Sequence, residues 1–589
     1  MKPQSLLGRF LVWRLKHIKH RQFMLILSVI VGILSGLVAL TLKNATFFIK
    51  EIVEGRLINS YPFFYFIFPI VGLAIVYVIN KYFFKQNKRR GMLSALFAIM
   101  KGKAIMERLG MYASLITAPI TVGLGGSVGL EGPAVGTSSS IGSNIGQLLR
   151  LNMKGRMLMV GCAAAGAIAA IFKAPIAGII FAIEVFSLDL TFASLLPLLL
   201  ATLSAVLTSI FFYGNEIILA VDLKDKFVVK DVPMYILLGV FCAFLSAYVY
   251  RCYFFILKQF DRINGRFKRL LVGGSIIGIM VFLIPPLYGE GFSVINNLLS
   301  GGYVDTLEGK FFHGFGDDFY SPLLLLGGLL FFKVIATSVT IGAGGTGGIF
   351  APTLFMGSTL GYMFSLVANR LGMQLSETNF TLVGMAGLVA GVLHAPLTAI
   401  FMIAELTGGY ELFVPLMLTA AISYGLSRYF NSHSIYTAEL AQQGETYTQH
   451  KDKAVLGLMS LEKIVEKNFS CIKPEMTLGE IVKVVANSSR NIFPVVSDKG
   501  VLLGVITLDD IRQIMFDHKL YDTMHAYTLM HNPTACVELC SPMDKVAETF
   551  TNTGAWNVAV VNDQKYVGFI SKAKLFSVYR RMLLEFSEE

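Results

Sequence analysis

The sequence predicts an all-α polytopic membrane protein that carries a small α/β region at its C-terminal end. Three observations lead to this prediction. Of the 589 residues, 54% are hydrophobic and 15% are charged, whereas average protein usage is about 25% charged. Apolar segments recur from residue 23 to about residue 430, and more polar sequence follows. Blocks of sequence from the first part of the apolar region also return in its second part.

The basic residues lie beside hydrophobic runs, so the net charge of +12 does not indicate nucleic-acid binding. Examples are the opening segment 1–22 and the run KYFFKQNKRR at 81–90. This pattern is typical of the cytoplasmic side of integral membrane proteins. The apolar segment 23–42 is long enough to cross a bilayer of about 30 Å. We therefore expect a multi-pass protein of a bacterial inner membrane, in contact with lipid and with both termini in the cytoplasm.

Two pairs of related blocks indicate an internal duplication. KAPIAGIIFAIEV (173–185) returns as HAPLTAIFMIAEL (394–406), and GGSVGLEGPAVG (125–136) corresponds to GTGGIFAPTLFMG (345–357). Pro133 then matches Pro352 and Pro175 matches Pro396, so the offset along the chain is nearly the same for both pairs of blocks. The membrane domain at 23–440 therefore consists of two related halves, at about 23–215 and 230–440.

The polar segment 441–458 predicts a linker to the C-terminal tail. Beyond it, NIFPVVSDKGVLLGVITLDDIRQIM reads as strand, turn, strand and helix, and WNVAVVNDQKYVGFISKAKLFSVYRRML repeats that plan. The tail is therefore a soluble α/β region of two related units, at about 459–520 and 526–589.

Glu131 lies in the glycine-rich stretch GLEGP, where a proline opens a helical pattern, and Phe350 takes its place in the repeated stretch GIFAP. The N-terminus of a helix offers unpaired amides and partial positive charge to an anion. An ionisable group within a membrane segment indicates function. A carboxylate aimed at these amides would compete with the anion, and its protonation would release it. The alternative is that both stretches are helix kinks or close helix contacts.

Together, GLEGP, GGIFAP, KAPIAG, HAPLTA, AELTGGYELFVPL and SIYTAEL resemble the CLC family of chloride channels and anion/proton exchangers. The resemblance implies a homodimer of two inverted halves per subunit, built from tilted and broken helices. It implies one pathway per subunit for chloride or another small monovalent anion, with no required cofactor.

The resemblance also assigns roles to single positions. Glu131 would be the gating glutamate, Ile349 and Phe350 would offer backbone amides to the central anion, and Tyr436 would offer its hydroxyl. The remaining anion-binding candidates are the neighbouring backbone positions Gly129, Leu130, Gly132 and Gly348. Glu184 and Glu405, which recur in both halves, are interpreted as structural carboxylates at helix ends.

Two positions depart from the family pattern. Counting back from Glu131 by the family's spacing places Arg90 where the family has a serine that contacts the anion; the alternative is that Arg90 belongs to the basic run and points to water. Val185 stands where the exchangers usually carry a proton-relaying acid, which favours a channel. Some exchangers lack that acid, so a proton-coupled chloride or fluoride antiporter is the alternative.

The tail resembles a tandem CBS pair. Thr507 and Asp510 match the pattern in which a hydroxyl and a carboxylate hold a nucleotide, whereas the second unit keeps Ser571 but has Lys574 at the acidic position. One adenine-nucleotide site is therefore expected. The alternative is a scaffold that binds nothing.

Two other function classes are disfavoured. A divalent-cation transporter would need carboxylates converging in the membrane, and helix N-termini repel cations. A membrane enzyme would need clustered catalytic residues, but His394 and His433 are isolated in the sequence, and the six cysteines lack the paired spacing of a metal site. We therefore expect neither catalysis nor a metal site.

Overall fold

The computed structural model describes residues 6–53, 63–84, 91–100, 104–187, 192–214, 225–300, 320–442 and 459–587, together with Leu456. The chain divides into two compact units, Met1–Tyr447 and Thr448–Glu589. The boundary between the units falls inside the segment that the sequence predicts as a linker.

The described part of the first unit is built from helices. They are α1 (Leu6–His17), α2 (His20–Lys50), α3 (Phe64–Val78), α4 (Met92–Met100), α5 (Ala113–Gly123), α6 (Glu131–Leu148), α7 (Met153–Phe172), α8 (Pro175–Phe186), α9 (Phe192–Tyr213), α10 (Val232–Arg262), α11 (Arg266–Leu283), α12 (Phe292–Leu299), α13 (Tyr320–Gly342), α14 (Phe350–Arg370), α15 (Glu377–Leu393), α16 (Pro396–Leu406), α17 (Phe413–Phe430) and α18 (Ile435–Gln442). Among the described residues, seven helical segments are long and apolar enough to cross a membrane, and shorter apolar helices lie between them.

The helices break where the sequence places glycine and proline. In the first half, the glycine-rich residues 124–130 form a short loop between α5 and α6. Lys173 and His394 hold left-handed backbone conformations, with φ of 53° and 55°, at the ends of α7 and α15. A proline then opens the next helix in each half, at Pro175 and Pro396. Because these are the prolines that the repeated blocks match, the two breaks are equivalent positions of the repeat.

Hydrogen bonds between the halves are reciprocal, which indicates a two-fold relation between the two repeats. The Gly129 amide donates to the Gly348 carbonyl at 2.8 Å, and the Gly348 amide donates to the Gly129 carbonyl at 2.8 Å. These two glycines have the same offset along the chain as Pro133 and Pro352. Each glycine therefore donates its amide to the carbonyl of its counterpart and accepts from the amide of that counterpart, as a two-fold axis between the halves requires.

Glu184 and Glu405 obey the same symmetry. The Glu184 carboxylate, near the end of α8, accepts from the amides at the start of α16, Leu397 at 3.1 Å and Thr398 at 2.9 Å. The Glu405 carboxylate, near the end of α16, accepts from two amides at the start of α8, at 2.9 and 2.8 Å. Each carboxylate satisfies donors that the other helix leaves unpaired. This geometry supports the structural interpretation of both glutamates.

The second unit contains two short sheets. Strands β1 (Ile492–Val496) and β2 (Leu502–Thr507) pair antiparallel, and β3 (Cys536–Glu538), β4 (Asn557–Asn562) and β5 (Lys565–Ser571) form a mixed sheet in that order. The helices are α19 (Leu461–Ile464), α20 (Leu478–Ala486), α21 (Leu508–Ile511), α22 (Ala526–Leu529), α23 (Met543–Thr553) and α24 (Lys572–Ser587). The predicted order of strand, turn, strand and helix is confirmed in both parts of the tail.

Candidate functional site

Glu131 is the first residue of α6, and its side chain is buried with 1% of its surface exposed. Among the described residues, the amides of Glu131 itself and of Ala351 approach this carboxylate, although neither makes a hydrogen bond of full geometry with it. A Cβ added to Gly129 would collide with Oε2 of Glu131 and would lie 3.2 Å from the Ala351 nitrogen. The carboxylate therefore lies between the loop before α6 and the first turn of α14. A buried carboxylate without a hydrogen bond is costly in its charged form.

The first turn of α14 lies beside the Glu131 carboxylate and has backbone amides without acceptors among the described residues. The first helical hydrogen bond is donated by Thr353 to the Ile349 carbonyl at 3.0 Å. Within the described ranges, the amides of Ile349 and Phe350 have no hydrogen-bond acceptor. The structure thus brings together two helix N-termini, at Glu131 and at Phe350, as the repeat predicts. Both add partial positive charge to the space between them.

Three other predicted anion-binding amides have protein acceptors. The Gly129 and Gly348 amides are held in their mutual pair, and the Leu130 amide donates to Oε1 of Glu290 at 3.1 Å. The prediction that these three residues bind the anion therefore gains no support from this geometry. The paired glycines join the two loops, and Gly132 packs directly against Gly348.

Tyr436 approaches the site from α18 and is 7% exposed. It lines a cavity of about 780 Å³ together with Gly132, Gly348 and Ile349. Glu131 lies within electrostatic reach of the Tyr436 hydroxyl. The structure thus places Tyr436 and Ile349 in the lining of one cavity, and the role of Tyr436 beside an anion stays a prediction. We call this space the inner cavity, because α18 carries the residue expected on the cytoplasmic side.

Charged residues line the rest of the inner cavity. Lys81, Arg266 and Arg269 supply positive charge, and Asp261 and Glu439 supply carboxylates, with Arg269 paired to Asp261 at 3.3 Å. The Tyr253 hydroxyl donates to Glu439 Oε2 at 3.5 Å. Sequence reasoning missed Glu439, although it stands three residues after Tyr436 on the same helix, and residues three apart share a helix face.

Glu290 and Lys333 were missed as well. Lys333 has no exposed surface, and its ammonium donates to the carbonyls of Leu287 at 3.3 Å and Gly289 at 2.9 Å. It stands in the apolar run LLFFKVIA, so the criterion that selected Glu131 would have found it. Glu290 has no such signal, because it lies in a turn between two helices.

Two positions, Arg90 and Val185, depart from the family pattern, and the structure describes only the second. Arg90 lies outside the described residues. Val185 follows Glu184 near the end of α8, where it is partly buried against the core.

The predicted nucleotide-binding residues of the tail are linked to other side chains. The Thr507 hydroxyl donates to Asp510 Oδ2 at 2.7 Å, and His531 Nε2 lies 3.1 Å from the same oxygen. Burial alone would raise the pKa of Asp510, but these hydrogen bonds outweigh burial and lower the pKa below its usual value. Ser571 donates to Glu466 Oε2 at 3.0 Å, so a carboxylate lies beside the second predicted hydroxyl.

Comparison with known proteins adds an independent finding. The family model described as voltage gated chloride channel matches residues 71–428, and the CBS domain model matches residues 461–517. A putative chloride channel protein ClcB-like from Ralstonia nicotianae is 29% identical over 64% of this chain and 85% of its own length. The H(+)/Cl(-) exchange transporter ClcA from Vibrio cholerae is 28% identical over 70% of this chain and 88% of its own length.

A solved structure shares the fold. The crystal structure of a slow cyanobacterial Cl−/H+ antiporter superposes with a TM-score of 0.61 at 21% identity, over 72% of this chain and 98% of that one. The family match spans more than half of the 589 residues and includes both helix N-termini of the site. The chain therefore belongs to the CLC family of anion transport proteins and carries a CBS region in its tail.

Proposed function

We propose that this protein moves chloride or another small monovalent anion across the membrane through a pathway gated by Glu131. One observation carries the proposal: the Glu131 carboxylate is buried between two helix N-termini, where the backbone amides of Glu131 and Ala351 act on it. Those N-termini are anion-binding elements. The charged side chain takes the place that a mobile anion would take.

Protonation supplies the gating step. A neutral Glu131 is attracted less strongly to the partial positive charge of α6 and α14, so its side chain leaves and an anion replaces it. On the cytoplasmic side the anion meets the amides of Ile349 and Phe350 and the hydroxyl of Tyr436. Lys81 and Arg266 line the inner cavity as well, and their positive charge favours a higher local concentration of anions.

For the mode of transport we infer proton-coupled exchange, with passive conduction as the second candidate. Val185 favours passive conduction, because it offers no titratable group. Glu439 favours exchange, because a carboxylate in the inner cavity lies within electrostatic reach of Tyr436, as Glu131 does. The two named relatives do not decide between the modes, since one is called a channel and the other an exchange transporter.

Liposomes that contain the purified protein test both statements. A chloride gradient is imposed while chloride efflux and external pH are recorded. Proton uptake in fixed ratio to chloride efflux supports exchange, whereas efflux without proton movement supports the channel. Glu131→Gln should remove the pH dependence of efflux, and the exposed Glu411→Gln should leave it unchanged. Unchanged pH dependence in Glu131→Gln contradicts the gate, and absence of chloride flux contradicts the function.

The remaining assignments complete the proposal. Assembly as a homodimer follows from the family resemblance, and a bacterial inner membrane with cytoplasmic termini follows from the distribution of basic residues. An adenine nucleotide at Thr507 and Asp510 is proposed as a regulatory ligand of the tail. The heat of nucleotide binding to the full-length protein, measured by titration calorimetry, tests it.

A further inference from the structure

Two large aromatic side chains of the tail are exposed beside basic residues. Trp556, between α23 and β4, has 76% of its surface exposed, and Phe576 of α24 has 61% of its surface exposed. The Lys572 amide donates to the Trp556 carbonyl at 2.9 Å, and the Lys572 ammonium lies 5.8 Å from the centre of the Trp556 ring. Phe576 stands one helical turn after Lys572 on the same helix face. The three side chains therefore form one continuous surface.

Packing of α24 fixes the direction of this surface. Four side chains of the helix pack into the apolar core that also holds residues of β3, β4 and β5: Leu575, Val578, Tyr579 and Met582. Lys572, Phe576 and Arg580 follow one another at intervals of four residues and are exposed, so they share the outer face of the helix. We call the surface of Trp556, Lys572, Phe576 and Arg580 the basic aromatic face.

Basic residues are concentrated on this helix. The tail at 459–589 has 14 basic and 16 acidic residues, so the tail as a whole is not basic. Residues 572–582 nevertheless include four basic residues and no acidic residue. The four are all exposed, and they are Lys572, Lys574, Arg580 and Arg581. The exposed aromatic rings therefore lie in a locally positive surface.

A lipid surface with anionic headgroups fits this composition. Aromatic side chains flanked by lysine and arginine are typical of protein surfaces that bind at the interface of anionic bilayers. The tail follows the membrane domain in the same chain, so lipid is present around it at high local concentration. A second copy of this chain fits less well, because two basic aromatic faces would bring like charges together.

We propose that the basic aromatic face docks on the anionic lipid surface of the membrane. Trp556 and Phe576 insert at the level of the headgroups, and Lys572 and Arg580 lie beside the lipid phosphates. The contact needs no anion in the pathway and no nucleotide in the tail, so the inference is independent of the proposed function.

The fluorescence of Trp556 tests the inference in the full-length protein. The chain has two tryptophans, Trp13 and Trp556, so Trp13→Phe leaves Trp556 as the single indole. This variant is placed in nanodiscs of brominated phosphatidylcholine, with or without brominated phosphatidylglycerol. In the discs that contain phosphatidylglycerol, Trp556 emission should shift to shorter wavelength and be quenched by bromine. Both effects should weaken at high salt, because salt screens the charges.

Three results would overturn the inference. The first is Trp556 emission at long wavelength and without quenching in the anionic discs. The second is equal quenching in neutral and anionic discs, which would remove the role of the lipid charge. The third is a shift to shorter wavelength without quenching by bromine, which would show that protein rather than lipid covers Trp556.

A charge variant in the same Trp13→Phe background measures the contribution of the basic residues. Arg580→Gln leaves the contact between Trp556 and Lys572 in place and removes one charge from the face. It should lower the ratio of docked to undocked tail, read from the quenching, about fivefold. Lys499→Gln removes an exposed lysine in the turn between β1 and β2 and is the control. Equal quenching in these two variants overturns the inference.

An aromatic variant measures insertion separately from charge. Phe576→Ser removes an exposed apolar ring and should lower the same ratio, because less apolar surface enters the interface. Phe516→Ser is the matched control, since Phe516 is 77% exposed and lies outside the basic aromatic face. Equal loss of quenching in both serine variants overturns the assignment of this face.

Discussion

The paired glycines between the two halves allow the gate to be tested separately from the scaffold that holds it. Gly129 and Gly348 are equivalent, and each donates to the other at 2.8 Å. Neither has a positive φ, so alanine meets no backbone strain at either position. The two added methyl groups would meet different atoms, and the functional consequences should differ accordingly.

The loss of stability should be similar for the two alanine variants. In Gly129→Ala the methyl lies 2.9 Å from the Ala351 Cβ, and in Gly348→Ala it lies 3.0 Å from the Gly132 nitrogen. Overpacking of this kind costs about 1–3 kcal/mol, and weakening two backbone hydrogen bonds costs about 1 kcal/mol each. The lower entropy of the unfolded alanine chain offsets about 0.4–1 kcal/mol of this loss. We expect each variant to be about 2–5 kcal/mol less stable.

The pH dependence of chloride efflux should differ between Gly129→Ala and Gly348→Ala. The methyl of Gly129→Ala takes the space of Glu131 Oε2, whereas the methyl of Gly348→Ala meets only backbone of the opposite loop. Chloride efflux from liposomes should therefore become independent of pH in Gly129→Ala, and in Gly348→Ala it should slow but keep its pH dependence. Gly425→Ala, where the added methyl meets nothing within 4 Å, is the control. The same pH profile in both variants would refute the proposed position of the carboxylate.

Two further substitutions give separate expectations. Glu439→Gln should lower the ratio of protons to chloride ions while chloride efflux continues, measured in the same liposomes; an unchanged ratio removes Glu439 from the proton route. Glu405→Ala should lower the apparent melting temperature of the purified protein, because two amides of α8 lose a charged acceptor worth about 1.5–3 kcal/mol each. Glu411→Ala, at an exposed position, should melt like the unaltered protein, and equal melting of Glu405→Ala would show that the cap contributes nothing.

The architecture was predictable from the sequence because the duplication repeats residues with strong local effects. Pro133 and Pro352 mark the first turns of α6 and α14, and the offset between them is the offset of the reciprocal glycine contact between these loops. The order of strands and helices in the tail followed from turn residues between apolar runs. The inverted relation of the halves came from the family resemblance. The structure adds a two-fold relation between the halves, which is visible in the Gly129–Gly348 pair.

The missed residues depend on contacts between distant parts of the chain. Glu290 accepts from the Leu130 amide, which is 160 positions away in the sequence. Lys333 of α13 donates to the carbonyl of Gly289, the residue before Glu290. Neither contact leaves a local pattern. Glu439 and Lys333 did carry a local signal. Glu439 is a charge on the Tyr436 face of the SIYTAEL motif, and Lys333 is a charge in an apolar run outside the motifs that carry the resemblance.

The candidate functional residues are positions at which the two equivalent halves carry different side chains. The scaffold is symmetric to the level of single hydrogen bonds, and a symmetric pathway would give the anion the same environment from both sides. Glu131 faces Phe350 across the repeat, so one half adds a carboxylate where the other offers only backbone. The Glu131 carboxylate lies between the amide ends of α6 and α14, and Phe350 carries no charge. In the proposed function an anion reaches the amides of Ile349 and Phe350 only by displacing that carboxylate. The proposed gating therefore depends on this single difference between the repeats and on no difference in fold between the halves.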